Sequence, residues 1–168
     1  RMKRLTILRH AEAIPALPGG HDFERPLSLR GWQEGRGVGQ AFKARGLTFD
    51  LVRASTALRV RETLDGVAES YGPLAIRFEE DLYLATKQSL LDHIHSTPRD
   101  VSSLLLVGHN PGLERLVADI ARDDGHGLRA RINGGLPTAG VAILALESWT
   151  SADRARADLV GLVSPGER

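Results

Sequence analysis

"VSSLLLVGHNP", residues 101–111, is the stretch that decides the fold. Val101–Val107 carries Leu104, Leu105 and Leu106 in succession, without the polar alternation of a half-exposed strand. Such a run reads as a strand buried on both faces, and strands of that kind belong to parallel sheets covered by helices. The run is broken by Gly108, His109 and Asn110. Leu113, Leu116, Val117, Ile120 and Ala121 then recur at helical spacing, with Asn110 as candidate N-cap and Pro111 at the first helical position.

The same alternation extends in both directions. Leu5–Leu8 reads as a first strand, and Ser28 caps a helix reaching about Arg45, where Gly46 stops it. Phe49–Val52 is a second strand, and Val60, Leu64, Val67, Ala68 and Tyr71 form the apolar face of a second helix. Leu74–Phe78 is a third strand, and Ser89–His95 a short helix ended by Pro98; Val141–Leu146 and Leu159–Val163 are the closing strands. Asp123–Pro137, with four glycines, is the most loop-like segment, either mobile or lining a site. The pattern predicts an α/β fold with a largely parallel central sheet and helices on both faces. A single domain over residues 1–168 is expected, with Arg1, ahead of Met2, read as a cloning remnant.

Composition sets the limits. The 168 residues are 42% hydrophobic, ample for a core, and the net charge of +1 gives no general attraction to nucleic acid or membrane. No apolar run is long enough to span a bilayer, and the N-terminus lacks the pattern of a signal peptide. The absence of cysteine excludes disulfides and thiolate chemistry. A cytoplasmic chain with neither nucleic acid nor membrane as partner is the expectation.

In open parallel sheets ligands bind at the carboxyl ends of the strands. The first strand ends in Arg9-His10, the second leads through Ser55 to Arg59, and the buried strand ends in Gly108-His109-Asn110. Arg59 falls in the first turn of its helix, where an uncompensated cation costs about 0.3–1 kcal/mol against the helix dipole. Arg61 repeats the conflict, with Glu62 as its only neighbouring offset. A bound anion would reverse both, gripped by backbone N–H groups, by Arg59 and in bidentate fashion by Arg9. Two histidines beside two arginines then point to phosphoryl transfer. One imidazole attacks phosphorus and carries the group; the other stabilises charge on the transferred oxygens. Each residue alone has an ordinary reading, as a surface histidine, a solvated arginine or a helix cap. Their convergence on one sheet edge favours the functional one.

Other signals carry less. "GRGVGQ" at 35–40 imitates a dinucleotide-binding pattern but lacks a preceding strand and lies within a helical pattern, so it reads as close packing or a weak helix. His93 and His95 lie on different helix faces with no carboxylate pair to complete a metal site. Neither metal nor other cofactor is expected. Arg129 and Arg131 read as solvated surface.

These residues resemble a known family. "RHAEA" at 9–13 is similar to the Arg-His-Gly signature of the histidine phosphatase superfamily, also called phosphoglycerate mutase-like. "STALRVRET" at 55–63 resembles its second arginine segment and "VGHNP" at 107–111 its second histidine. "ERPLSLRG" at 24–31, "DLYLA" at 81–85 and "LPTAGVAILAL" at 136–146 match the small SixA-type phosphohistidine phosphatase branch. Ala11 stands where the broader superfamily has glycine, and Ala57 where proline is common. The resemblance implies a three-layer sandwich, His10 as the phosphorylated nucleophile, and Arg9, Arg59 and His109 as the remainder of a phosphate pocket. It supplies no clear general acid. Glu12, Glu79, Glu80 and Asp81 are the weak candidates, and a solvated acidic loop is the better reading of the last three.

An imidazole leaves a P–N bond with far less need of a proton donor than an alkoxide leaving an ester. The leading expectation is therefore a metal-independent phosphatase acting on a phosphohistidine protein, such as a histidine-phosphotransfer domain. The alternative is a phosphatase of small phosphomonoesters. A mutase is disfavoured because the chain is short for the insertions that close over a bisphosphate. A non-catalytic phosphate-binding module is the option from a different class.

Overall fold

The computed structural model describes residues 1–123, 125 and 127–166. Its framework is a seven-stranded sheet. In chain order the strands are β1 (Lys3–Arg9), β2 (Leu51–Ser55), β3 (Ile76–Glu79), β4 (Ser103–Gly108), β5 (Ala121–Arg122), β6 (Val141–Leu146) and β7 (Ala157–Val163). The helices are α1 (Leu29–Ala44), α2 (Leu58–Tyr71), α3 (Lys87–His95), α4 (Gly112–Ile120) and the single turn α5 (Leu128–Arg131). Across the sheet the order is β3-β2-β4-β1-β6-β7-β5.

β3, β2, β4 and β1 run parallel, as the strand-helix alternation requires. β6 then pairs antiparallel with β1, and β7 antiparallel with β6, while the short β5 lies parallel to β7. The link from β6 to β7 holds only a capped turn around Trp149, without a crossover helix, and so returns the chain in the opposite direction.

β4 lies at the centre and is buried at every position. Leu104 and Leu106 face one core with Leu5, Ile7, Leu90, Ile94, Leu113 and Leu116; Leu105 and Val107 face the other with Leu8, Val38, Phe42, Val60 and Leu64. Helices thus cover both faces: α1 and α2 on one side, α3 and α4 on the other. Side chains that alternate across a strand explain why the sequence shows no polar alternation there.

Several element bounds differ from expectation. β2 begins at Leu51 rather than Phe49; just before it the Asp50 carboxylate accepts the N–H groups of Ser102 (2.8 Å) and Ser103 (3.1 Å). α4 starts at Gly112 with Pro111 flanking it, yet Asn110 still serves its end by accepting the Glu114 N–H at Oδ1 (3.2 Å). α3 starts at Lys87, capped by Thr86. Ser28 caps α1 as expected, accepting the Gly31 N–H at 3.0 Å.

The glycines of 35–40 are packing residues. A Cβ on Gly35 would come within 3.1 Å of the Thr63 carbonyl, and one on Gly39 within 2.4 Å of the Val67 carbonyl. Their absence lets α1 approach α2. Of the segment 123–137, residues 124 and 126 lie outside the described residues. Within the rest, Leu128–Arg131 forms α5 and Ile132–Gly134 a 3-10 turn, and Ile132 and Leu136 are buried.

Candidate active site

β1 delivers Arg9 and His10 to the carboxyl edge, and neighbouring strands hold the His10 backbone there. Its N–H donates to the Gly108 carbonyl (3.1 Å), and its own carbonyl accepts from Ala139 (3.0 Å). The His10 ring is likewise fixed: Nδ1 lies 2.8 Å from the Ala11 carbonyl, which can only accept. Nδ1 therefore bears the proton, and Nε2 keeps its lone pair. The Ala11 N–H donates to Thr63 Oγ1 (2.9 Å), and that hydroxyl donates to the Arg59 carbonyl (2.6 Å), tying the end of β1 to the first turn of α2.

Arg59 is almost wholly buried. Its Nη1 donates to the Asp22 carbonyl (2.8 Å) and its Nη2 to Asp22 Oδ2 (3.0 Å), with His109 Nδ1 3.3 Å from Nη2. A guanidinium only donates, so His109 accepts at Nδ1 and carries its proton on Nε2, 2.7 Å from Ser55 Oγ. Arg9 Nη1 donates to the Leu136 carbonyl (3.0 Å). The Nε atoms of Arg9 and Arg59 are buried without a partner. The His10 and His109 rings are 5.4 Å apart between centroids.

These four side chains line one cavity of about 340 Å³, together with Glu12, Asp22, Arg25, Leu84, Asn110 and Thr138. Burial, with the guanidiniums of Arg59, Arg9 and Arg25 adding to it, lowers the His10 pKa to about 4. Burial and Arg59 lower that of His109 to about 3. Both rings are thus neutral near pH 7, and His10 is a free base facing a cationic cavity. Asp22 is held well below the usual carboxylate range, first by the Tyr83 hydroxyl that donates to it and then by Arg25 and Arg59.

No family model matches the sequence, but individual known proteins match it over nearly its whole length. An uncharacterised protein of Mycobacterium tuberculosis is 33% identical over 162 residues, covering 94% of this chain and 99% of the relative. The structure of a protein provisionally assigned as the phosphohistidine phosphatase SixA of Agrobacterium tumefaciens superposes with a TM-score of 0.82. It has 32% identity, over 97% of this chain and 98% of that one. A tungstate complex of the protein histidine phosphatase SixA shares the fold at TM-score 0.77 and 23% identity, over 96% of this chain and 97% of that one.

The chain belongs to the histidine phosphatase superfamily, in its SixA branch.

In this histidine phosphatase, Arg9, His10, Arg59 and His109 converge from three strand ends, as their positions in the sequence imply. Of the four acidic candidates only Glu12 lines the cavity. Its Oε1 accepts from Ser28 Oγ at 2.8 Å. Asp81 instead pairs with His93 (3.0 Å), and neither Glu79 nor Glu80 lines the cavity. Arg61 needs no anion: it lies 4.1 Å from the Phe78 ring centroid and donates to the Thr56 carbonyl at 3.0 Å. Its neighbour Glu62 accepts the Leu27 N–H at 2.8 Å.

Asp22, Tyr83 and Arg25 do not stand out in the sequence as site residues. The available signal was position: Asp22 and Arg25 lie in the loop that follows the Arg-His strand end, where ligand-contacting loops belong. Among the described residues, no cluster of three or more His, Asp or Glu side chains is placed to hold a metal ion, and no helix is long and apolar enough to cross a membrane.

Proposed function

We propose that this chain is a phosphatase that takes the phosphoryl group onto His10 Nε2 and releases it to water, with phosphohistidine on a protein as its substrate class. The observation that carries the reading is the His10 ring, locked by the Ala11 carbonyl with Nε2 as a free base inside a cavity of guanidiniums. Arg9 and Arg59 neutralise the phosphoryl oxygens with donors already oriented, which costs no reorganisation when charge develops. His109 is neutral in the open site; an arriving dianion raises its pKa, and as the Arg59 N–H turns to the phosphoryl oxygens, Nδ1 is freed to take a proton and donate as well.

The reaction forms a P–N bond to His10 as the substrate's P–N bond breaks. Water then attacks phosphorus, and the phosphoryl group leaves His10 as inorganic phosphate. No metal is required for either step. Histidine phosphatases of known structure support the phosphatase assignment. The phosphohistidine preference rests on chemistry: among the described residues the two carboxylates at the cavity are engaged as acceptors, Glu12 by Ser28 and Asp22 by Arg25, Arg59 and Tyr83, so neither is set up as a proton donor to an alkoxide, and an imidazole leaving group does not demand one.

The test is a brief exposure to a phosphoramidate donor, an alkaline quench and peptide mass spectrometry. A phosphoryl group on His10, absent from His10→Ala, is the expected result. Turnover without an adduct would replace covalent catalysis by direct attack of water. Tight phosphate binding without turnover would make the chain a phosphate-binding module.

A further inference from the structure

The β1–α1 loop is closed at its base by a bridge between Ala13 and Leu27, and Arg25 braces it from within. Arg25 Nε donates to the Ile14 carbonyl (2.9 Å), and its Nη1 donates to Asp22 Oδ1 (3.1 Å). Asp22 is thereby held at the cavity by three donors: Arg25 on Oδ1, and Arg59 and Tyr83 on Oδ2. Its side chain is 44% exposed, whereas that of Arg59 is 3% exposed. A carboxylate offers about four acceptor positions, so one remains open, on Oδ1. Glu12, the other carboxylate at the cavity, is turned instead toward Ser28 and Arg30.

The reactive form of an N-phosphorylated imidazole carries a proton on its distal nitrogen. The P–N electron pair then returns to the ring as the bond breaks, and a neutral imidazole departs. His10 is already set up in this way, since the Ala11 carbonyl holds the proton on its distal Nδ1. Its own departure in the second step needs no further proton. The substrate ring requires an equivalent acceptor on the opposite side of the phosphoryl group.

We infer that Asp22 is the specificity-determining residue for the leaving group: its free acceptor position takes the distal N–H of the substrate imidazole and selects phosphohistidine over phosphate esters. This rests on the phosphatase reading above. In the transfer, the bond from phosphorus to His10 Nε2 forms and the bond from phosphorus to the substrate nitrogen breaks. The electron pair stays on that nitrogen, and the distal proton stays on the substrate ring, hydrogen-bonded to Asp22. Asp22 donates no proton. Toward an ester the same carboxylate is unfavourable, because it faces an oxygen that gains negative charge.

The experiment compares kcat/KM for N-phosphoimidazole and for p-nitrophenyl phosphate, across pH, in the wild type and in Asp22→Asn. Asn keeps an oxygen for Arg59 and Tyr83, so the buried arginine retains its acceptor; the amide NH2 faces Arg25 Nη1, and Arg25 still braces the loop through Nε and the Ile14 carbonyl. The expected result is opposite signs: N-phosphoimidazole turnover falls about ten- to a hundredfold, the worth of one charge-assisted hydrogen bond. Ester turnover rises severalfold. If both fall together, Asp22 acts only by positioning Arg59 and the inference is overturned. If ester turnover falls more, Asp22 is a proton donor and the inference is equally overturned. A wild type that turns over neither probe would overturn the phosphatase reading itself, which is distinguishable from both.

Discussion

His10 and His109 stand at the ends of two strands with ring centroids 5.4 Å apart, whereas His93 and His95 stand two positions apart on α3. Both pairs are largely enclosed and both are hydrogen-bonded. His93 has a partner on each nitrogen: Asp81 at Nε2 and Arg53 Nη1 at Nδ1, each at 3.0 Å. It joins β2, α3 and the turn after β3. His95 Nε2 donates to the Ala152 carbonyl (2.6 Å), holding α3 to the link before β7. At the sheet edge, three guanidiniums press on the rings and His10 Nε2 has no partner among the described residues. Burial and hydrogen bonding therefore do not separate a reactive histidine from a structural one. A ring nitrogen left as a free base among cations does.

The largest effect that tests this contrast is on turnover. His10→Asn should lower kcat by about three orders of magnitude or more, as removal of a nucleophile does, with an unchanged far-UV spectrum. Retained activity would erase the distinction between the two pairs. Arg59→Lys keeps a charge but loses the planar fork that now reaches Asp22 and His109, so turnover should drop about a hundredfold in steady-state assays.

His93→Ala should do the reverse. It leaves Asp81 and Arg53 without their shared partner and should cost about 1–3 kcal/mol in urea unfolding, while kcat stays within a few fold. Loss of activity as complete as that of His10→Asn would show that the two pairs are not independent.

A last effect, which leaves turnover aside, is in the pH dependence of stability. The pKa values of His10 and His109 are about 4 and about 3 in the folded chain, below the ordinary 6.5. Between those values the unfolded chain binds more protons, so stability falls as pH drops from about 6.5 toward 4. Unfolding at pH 7 and pH 5 should differ by an amount on the order of 3–4 kcal/mol, and His10→Asn should remove about half of it.

The parts of this site that the sequence reveals are those where a regular pattern breaks. Arg9, His10 and His109 interrupt apolar strands, and Arg59 opposes its helix dipole, so each stands out without any knowledge of its neighbours. Asp22 interrupts nothing. It lies in an aperiodic stretch rich in glycine and proline, and its partners Arg59 and Tyr83 are 37 and 61 residues away. Only the folded chain creates those pairs. The two residues of β5 are too few to show a period. The direction of β6 is equally hidden, because Val141–Leu146 presents the same apolar run whichever way it points.

His10 is pinned through its main chain, between Gly108 and Ala139, and its ring by the adjacent carbonyl. Main-chain pairing is indifferent to side-chain identity, so the reactive atom keeps its place when the surroundings are rewritten. The loop that carries Asp22 and the turn that carries Leu84 reach the cavity from outside that pairing. Substrate range can therefore drift along a lineage, or be re-engineered, by exchanging those two segments while the chemistry is inherited intact.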